Sequence, residues 1–348
     1  MAKALLIFGK VRTMNNKSDR ILYLDVARVI AVFWIVGYWH LRVYCGVSYV
    51  TPLLSFPGDE YITGVVLGLF MYLSGYFISK YTFVNFWEDA KKFLYKRLIR
   101  FYLLYAISVF LLFILGYNSH FGGLCLIKTL TVTSTYLLPQ PRTLWFFSML
   151  ALFYIFTPFI MRKPIKSIGL FFSVIYAISL MLHFLLPLGI DSRFFWCFPI
   201  YCGGLFMGNK KDLAAVISTN KVGLIAFIVI AIQFALIYFC PLQYQYIQYF
   251  TLPVGIVFVL FVSRLVALMP VKWIVSKIAY CSMCAYLFHR EIYMGLMEIY
   301  DVFSLDFAFW FSALTFLPIC LICSYYIQWL YDKFVNHLLQ LKITRITI

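Results

Sequence analysis

The sequence predicts an all-α, polytopic membrane bundle of about ten transmembrane helices with both termini in the cytoplasm. Three observations carry that prediction. Of the 348 residues, 64% are hydrophobic and only 12% are charged, whereas a soluble domain is about half apolar and about a quarter charged. Apolar runs close to the ~20 residues of a membrane span recur along the whole chain. The basic residues behind the net charge of +16 fall in short clusters in alternate gaps between those runs, which is where the positive-inside rule wants them. That clustering excludes nucleic acid as the partner of the charge. Membrane lipids are its expected contact, and a bacterial inner or plasma membrane the expected location.

The spans are expected at residues 22–44, 61–80, 97–116, 143–161, 168–187, 194–208, 222–240, 245–268, 278–299 and 307–331. Each has the length and apolarity to satisfy its backbone within itself inside lipid. Residues 1–21 hold five Lys/Arg and read as a basic cytoplasmic tail. Residues 22–333 form the membrane domain and 334–348 a second cytoplasmic tail. "ALLIF" is too short for the apolar core of a signal peptide, and Met14 is an alternative start. Basic gaps such as "MRKPIK" and "NKKD" alternate with gaps poor in Lys/Arg such as "PLGIDSR" and "DVFSLD". The mixed segment 118–142 is expected outside, with an interfacial or re-entrant helix.

Nine cysteines include the pairs Cys281/Cys284 and Cys320/Cys323. In a soluble chain that spacing points to zinc. Here both pairs sit within apolar runs, where cysteine acts as a small hydrophobe, so no metal is expected. Cys45, Cys125 and Cys240 fall on one side of the expected topology, leaving a disulfide among them open.

Ionisable groups inside spans are costly and therefore mark sites. The first helix carries Asp25, Arg28 and His40. Asp25 and Arg28 are three apart and share a face; an interfacial ion pair explains them in the plainest way. His40 lies about 27 Å up the helix from Leu22, toward the outer leaflet. A lone histidine there is more often structural, yet its chemistry suits a general base. Arg97 and Arg100 share a face at the start of the third helix, as a phosphate clamp requires. Positive-inside anchoring explains the neighbouring lysines but accounts less well for two arginines in register. Ser74-Gly75 suits close helix packing, and Trp145 an interfacial anchor. His289, Arg290 and Glu291 stand together in the ninth span. Either they line a cavity, or that span starts near Val271 and ends with them.

Five stretches, in order, resemble landmarks of the acyltransferase 3 family, integral membrane enzymes that O-acylate sugars. "YLDVARVIAVFWIVGYWH" is similar to its first-helix motif with Asp, Arg and a terminal His. "FMYLSGYFISK", "FLYKRLIRFYLLY", "TLWFFSMLALFYIFTP" and "IAYCSMCAYLFH" resemble its Ser-Gly, Arg-x-x-Arg, Leu-Trp-Phe and Tyr-Leu-x-His segments. The resemblance covers nearly the whole chain. It implies an acyl-coenzyme A, most often acetyl-CoA, bound from the cytoplasm with its phosphates on Arg97 and Arg100. His40 would deprotonate a carbohydrate hydroxyl or briefly carry the acyl group. Arg28, partnered by Asp25, would orient the cofactor. Ser74, Trp145 and His289 are candidates to line the cavity.

One departure stands out. The family spaces the first-helix Arg and His by eleven residues, whereas Arg28 and His40 are twelve apart. One extra residue turns a side chain by about 100° on an α-helix. A π-bulge within residues 31–39, with Gly37 as its weak point, would absorb the extra residue. Two other readings remain in play: a transporter of glycan, lipid or small molecule, and a catalytically dead family member acting as a scaffold.

Overall fold

The computed structural model describes residues 22–44, 58–115, 123–135, 144–162, 174, 178, 181, 185, 191, 193–208, 219–239, 241–270, 272–302 and 309–346. Among these, all regular structure is helical. The elements are α1 (Leu22–Val32), a π-helical turn (Phe33–His40), α2 (Leu41–Tyr44), α3 (Asp59–Ile78) and α4 (Phe86–Arg97). A second π-helical turn (Leu98–Tyr102) leads into α5 (Leu103–Ile114). There follow α6 (Gly123–Leu130), α7 (Trp145–Met161), α8 (Phe194–Gly208), α9 (Asn220–Phe239), α10 (Pro241–Val266), α11 (Lys272–Val302) and α12 (Phe309–Ile346). Among the described residues, four stretches are long and apolar enough to cross a membrane: Leu22–His40, Asp59–Ile78, Phe86–Ile114 and Phe311–His337. Shorter apolar helices stand at Trp145–Met161, Phe194–Gly208, Asn220–Leu236 and Thr251–Val266. Together they make a membrane protein, since helices are the one form besides a closed barrel that keeps backbone polar groups paired in lipid.

α1 is the axis of the bundle. It packs against α3, α10 and α11, and Ala27 and Ala31 are fully buried where those helices press on it. The π-helical turn follows without a break. It occupies the stretch where the one-residue excess calls for an i→i+5 step. Such a turn disturbs the regular carbonyl ladder, and neighbours bond to it. The Tyr293 hydroxyl on α11 donates to the Val36 carbonyl at 3.1 Å, and the Trp34 indole N–H donates to Thr63 Oγ1 at 3.0 Å.

α3 and α8 form the closest helix pair, and glycine makes it so. A Cβ on Gly75 would overlap the Tyr201 carbonyl; one on Gly204 would overlap the Tyr72 carbonyl; one on Gly208 would collide with Ser79. Without water to drive association, membrane helices depend on such close packing.

The structure revises several expectations. α11 starts at Lys272, close to the alternative start near Val271, but does not end at His289–Glu291 and runs on to Val302. α12 runs on without a break past residue 333 to Ile346. Hydropathy falls there, but helix propensity does not. Trp145 is 5% exposed rather than an interfacial anchor; it packs against Trp196, with the Arg193 guanidinium 4.0 Å above its ring. Among the described residues of 118–142 are a short helix, α6, with Cys125 and Thr129 buried and Leu124 and Ile127 exposed, and a 3-10 turn at Thr133–Thr135. Cys281, Cys284 and Cys320 are buried in the helix packing. The expected span 168–187, apart from four helical positions, lies outside the described residues, as do Met14, Cys45, Cys240 and the first 21 residues.

Valine at Gly75 or Gly204 is expected to cost about 1–3 kcal/mol by overpacking. In contrast, alanine at Gly203, where a Cβ meets nothing within 4 Å, should be neutral. Thermal unfolding in detergent, followed by tryptophan fluorescence, checks this. Unchanged unfolding of Gly204→Val would contradict the close pairing.

Candidate functional site

Two compartments meet at one aromatic residue, Tyr286. The first is a cavity of about 490 Å³. Arg28 from α1, Arg97 from the end of α4 and Arg100 from the second π-helical turn all line it. Three guanidinium groups from two separate stretches of chain thus converge on one space. Arg28 pairs with Asp25 at 3.7 Å, and its guanidinium lies 4.4 Å over the Phe77 ring. Arg97 lies among Tyr81, Phe93 and Tyr154, 5.7, 5.5 and 5.2 Å from their centroids. Aromatic faces of this kind favour a cation while leaving its N–H donors for a ligand. The Tyr331 hydroxyl on α12 donates to the Ile99 carbonyl and ties the Arg97–Arg100 segment to the far wall.

That far wall is polar. Asp332 accepts from the Tyr280 hydroxyl at 2.5 Å and from Gln328 Nε2 at 3.1 Å, so its carboxylate is engaged within the wall. Ser74 lines the cavity as expected, its Oγ donating to the Phe70 carbonyl at 2.8 Å. Toward Tyr286 the lining turns aromatic and aliphatic, with Phe70, Phe146, Phe147, Leu150 and Met283. Trp145 and His289 are not among the lining residues.

The second compartment holds the two histidines. His40, at 8% exposure, stacks on His289, which is fully buried; the ring centroids are 4.6 Å apart and the planes differ by 11°. His289 Nδ1 lies 2.8 Å from the Tyr286 carbonyl. A carbonyl can only accept, so Nδ1 carries the proton and Nε2 presents its lone pair. Neither His289 Nε2 nor His40 Nδ1 has a hydrogen-bond partner, although both atoms are buried. Buried ring nitrogens are normally bonded, and two unmet ones side by side mark a place prepared for another group. Tyr286 presents its edge to both rings, with centroids 6.3 Å from His40 and 5.9 Å from His289.

The π-helical turn accounts for this meeting. On an unbroken α-helix a twelve-residue step leaves two side chains about 120° apart in azimuth, whereas eleven leave them within about 20°. Yet Arg28 lines the cavity and His40 touches Tyr286, which lines it too. The remaining members of the ninth-span group follow His289 directly on α11. Glu291 accepts from Ser108 on α5 at 2.9 Å, and Arg290 is buried within the bundle.

Sequence reasoning grouped Arg28 with His40; the geometry groups it with Arg97 and Arg100. It also missed the stacking of His289 on His40, a contact across 249 positions. The Tyr286–His289 spacing of three, which sets both side chains on one face of α11, was its available signal. The polar wall of Tyr280, Gln328 and Asp332 was missed as well.

A family model described as an acyltransferase domain, that of acyltransferase 3, matches residues 21–329. No curated protein and no solved structure matches the chain. The matched region runs from the start of α1 into α12 and includes every residue of both compartments except Asp332 and its two neighbours on the same wall, Val335 and Asn336. This chain belongs to the acyltransferase 3 family.

Proposed function

We propose that this membrane acyltransferase moves an acyl group, acetyl being the expected one, from cytoplasmic acyl-coenzyme A to a hydroxyl of a cell-envelope or exported carbohydrate. The observation that carries the reading is the pairing of the two compartments. A cavity with three arginines is joined, through Tyr286, to two histidines with unmet ring nitrogens. A transporter has no need of that combination. The π-helical turn supports the same reading, because it absorbs the extra residue of the twelve-residue spacing.

In this reading the phosphates of the donor rest on Arg28, Arg97 and Arg100, where planar guanidinium forks suit phosphate oxygens. The basic gaps in the chain support a cytoplasmic position for this end. The pantetheine arm follows the cavity toward Tyr286. His40 takes the proton of the acceptor hydroxyl as its oxygen attacks the thioester carbonyl. The tetrahedral intermediate then collapses: the C–S bond breaks, and the departing sulfur takes the proton back from the imidazolium. An ester and free coenzyme A thiol result. His289, fixed by its bond to the Tyr286 carbonyl, braces the face of His40 as a positioning residue. The acceptor arrives from the opposite side, near the Arg42–Asp59 ion pair of 2.6 Å.

Two outcomes are expected with purified protein. Arg97→Ala/Arg100→Ala should weaken acetyl-CoA binding by about 10²-fold or more, because each charge-assisted hydrogen bond is worth about 1.5–3 kcal/mol. Isothermal titration checks this, and wild-type affinity in the double variant would remove the phosphate clamp. His40→Ala should bind the donor normally while acyl transfer to added membrane glycan falls by about 10²–10⁴-fold. Unimpaired transfer by His40→Ala would assign the base to another group.

A further inference from the structure

We infer that Phe70, Phe146 and Tyr286 form a collar between the cavity and the histidine pair, and that this collar restricts the transferred acyl group to short chains. The inference rests on the acyl-coenzyme A reading and adds the part of the protein that chooses the acyl group. The three rings come from three helices, α3, α7 and α11, and each touches the other two. Phe70 and Phe146 are 6.2 Å apart at 68°, Phe70 and Tyr286 6.0 Å at 75°, and Phe146 and Tyr286 5.4 Å at 43°. These are contact distances for aromatic pairs, so the triangle is closed. All three rings line the cavity on one side. On the other side Tyr286 meets both histidines, neither of which reaches the cavity.

A thioester carbonyl can therefore reach His40 only if a ring swings aside. The gap so made has the width of one ring, enough for a slender pantetheine arm. What lies past the sulfur must fit beyond the collar, in space that it shares with the acceptor hydroxyl. Tyr293 meets His289 edge-on at 5.9 Å and belongs to a fully buried cluster with Val36, Leu41, Ala285 and Phe316. An acetyl group fits where one ring has moved; each further methylene must displace packed side chains. The same closed triangle keeps water from the thioester until the acceptor is in place, which limits wasteful hydrolysis.

The test uses the full-length protein in detergent with acetyl-, butyryl- and hexanoyl-CoA as donors, coenzyme A thiol as binding probe, and membrane glycan as acceptor. Wild type should prefer acetyl to hexanoyl by about tenfold or more, since one methylene in a shaped apolar site is worth about 10–200-fold. Phe146→Ala and Phe70→Ala should shrink that preference by about tenfold and raise acceptor-independent thioester hydrolysis. Phe146→Leu and Phe70→Leu, which keep more of the packing, should move the ratio the same way by less. Equal transfer of hexanoyl and acetyl by wild type overturns the collar. So does an unchanged chain-length ratio in variants that still bind coenzyme A. Failure of wild type to bind coenzyme A at all is a different result: it overturns the donor reading, and the collar falls with it.

Discussion

The first helix has to serve two compartments with one stretch of backbone. Arg28 must face the arginine cavity and His40 must face His289, twelve residues further on. A plain α-helix sets those directions about a third of a turn apart. The π-helical turn from Phe33 to His40 makes up the difference, and much of the bundle is arranged around it. Tyr293 bonds its Val36 carbonyl, Trp34 reaches Thr63 on α3, and Leu317 of α12 packs over Gly37. An irregular backbone inside lipid persists only where neighbours supply partners. α3, α11 and α12 are those neighbours.

Placement of charge follows the same division. Arginines and the single carboxylate of the polar wall gather in the cavity, where aromatic faces and hydrogen bonds compensate them. The two histidines lie apart from these groups, and Tyr293, which meets His289 edge-on, belongs to a cluster of buried apolar side chains. Separating a charged binding end from a dry reacting end suits a donor whose phosphates and thioester lie at opposite ends of one long molecule. In the proposed reaction it also sets the chemistry away from bulk water, where electrostatic contacts are stronger.

Much of this was legible in the sequence, and the exceptions have identifiable causes. Apolar runs located the helices well, because lipid demands near-continuous hydrophobicity. They failed at helix ends: α11 and α12 extend into polar sequence that still forms helix. The π-helical turn was readable because one surplus residue has one simple structural remedy. Trp145 was misread because tryptophan usually marks the lipid–water interface; here Arg193 covers it and it is buried. The stacking of His40 on His289 and the aromatic collar could not be read. Both join positions remote in sequence, and in a chain that is 21% aromatic three particular rings do not stand out.

The most direct test of the central claim alters the length of the first helix by one residue in each direction. Phe33 is the first residue of the π-helical turn and is 43% exposed. Deleting it brings Arg28 and His40 to a spacing of eleven, which an α-helix aligns to within about 20°. Inserting one alanine after it gives a spacing of thirteen and leaves them about 140° apart. Thioester turnover of both variants should be measured alongside their binding of acetyl-CoA. The account predicts that both bind, that the deletion keeps turnover near wild type, and that the insertion loses about 10²-fold or more through misplacement of the base. Equal loss in both variants, or full turnover in the insertion, would contradict it.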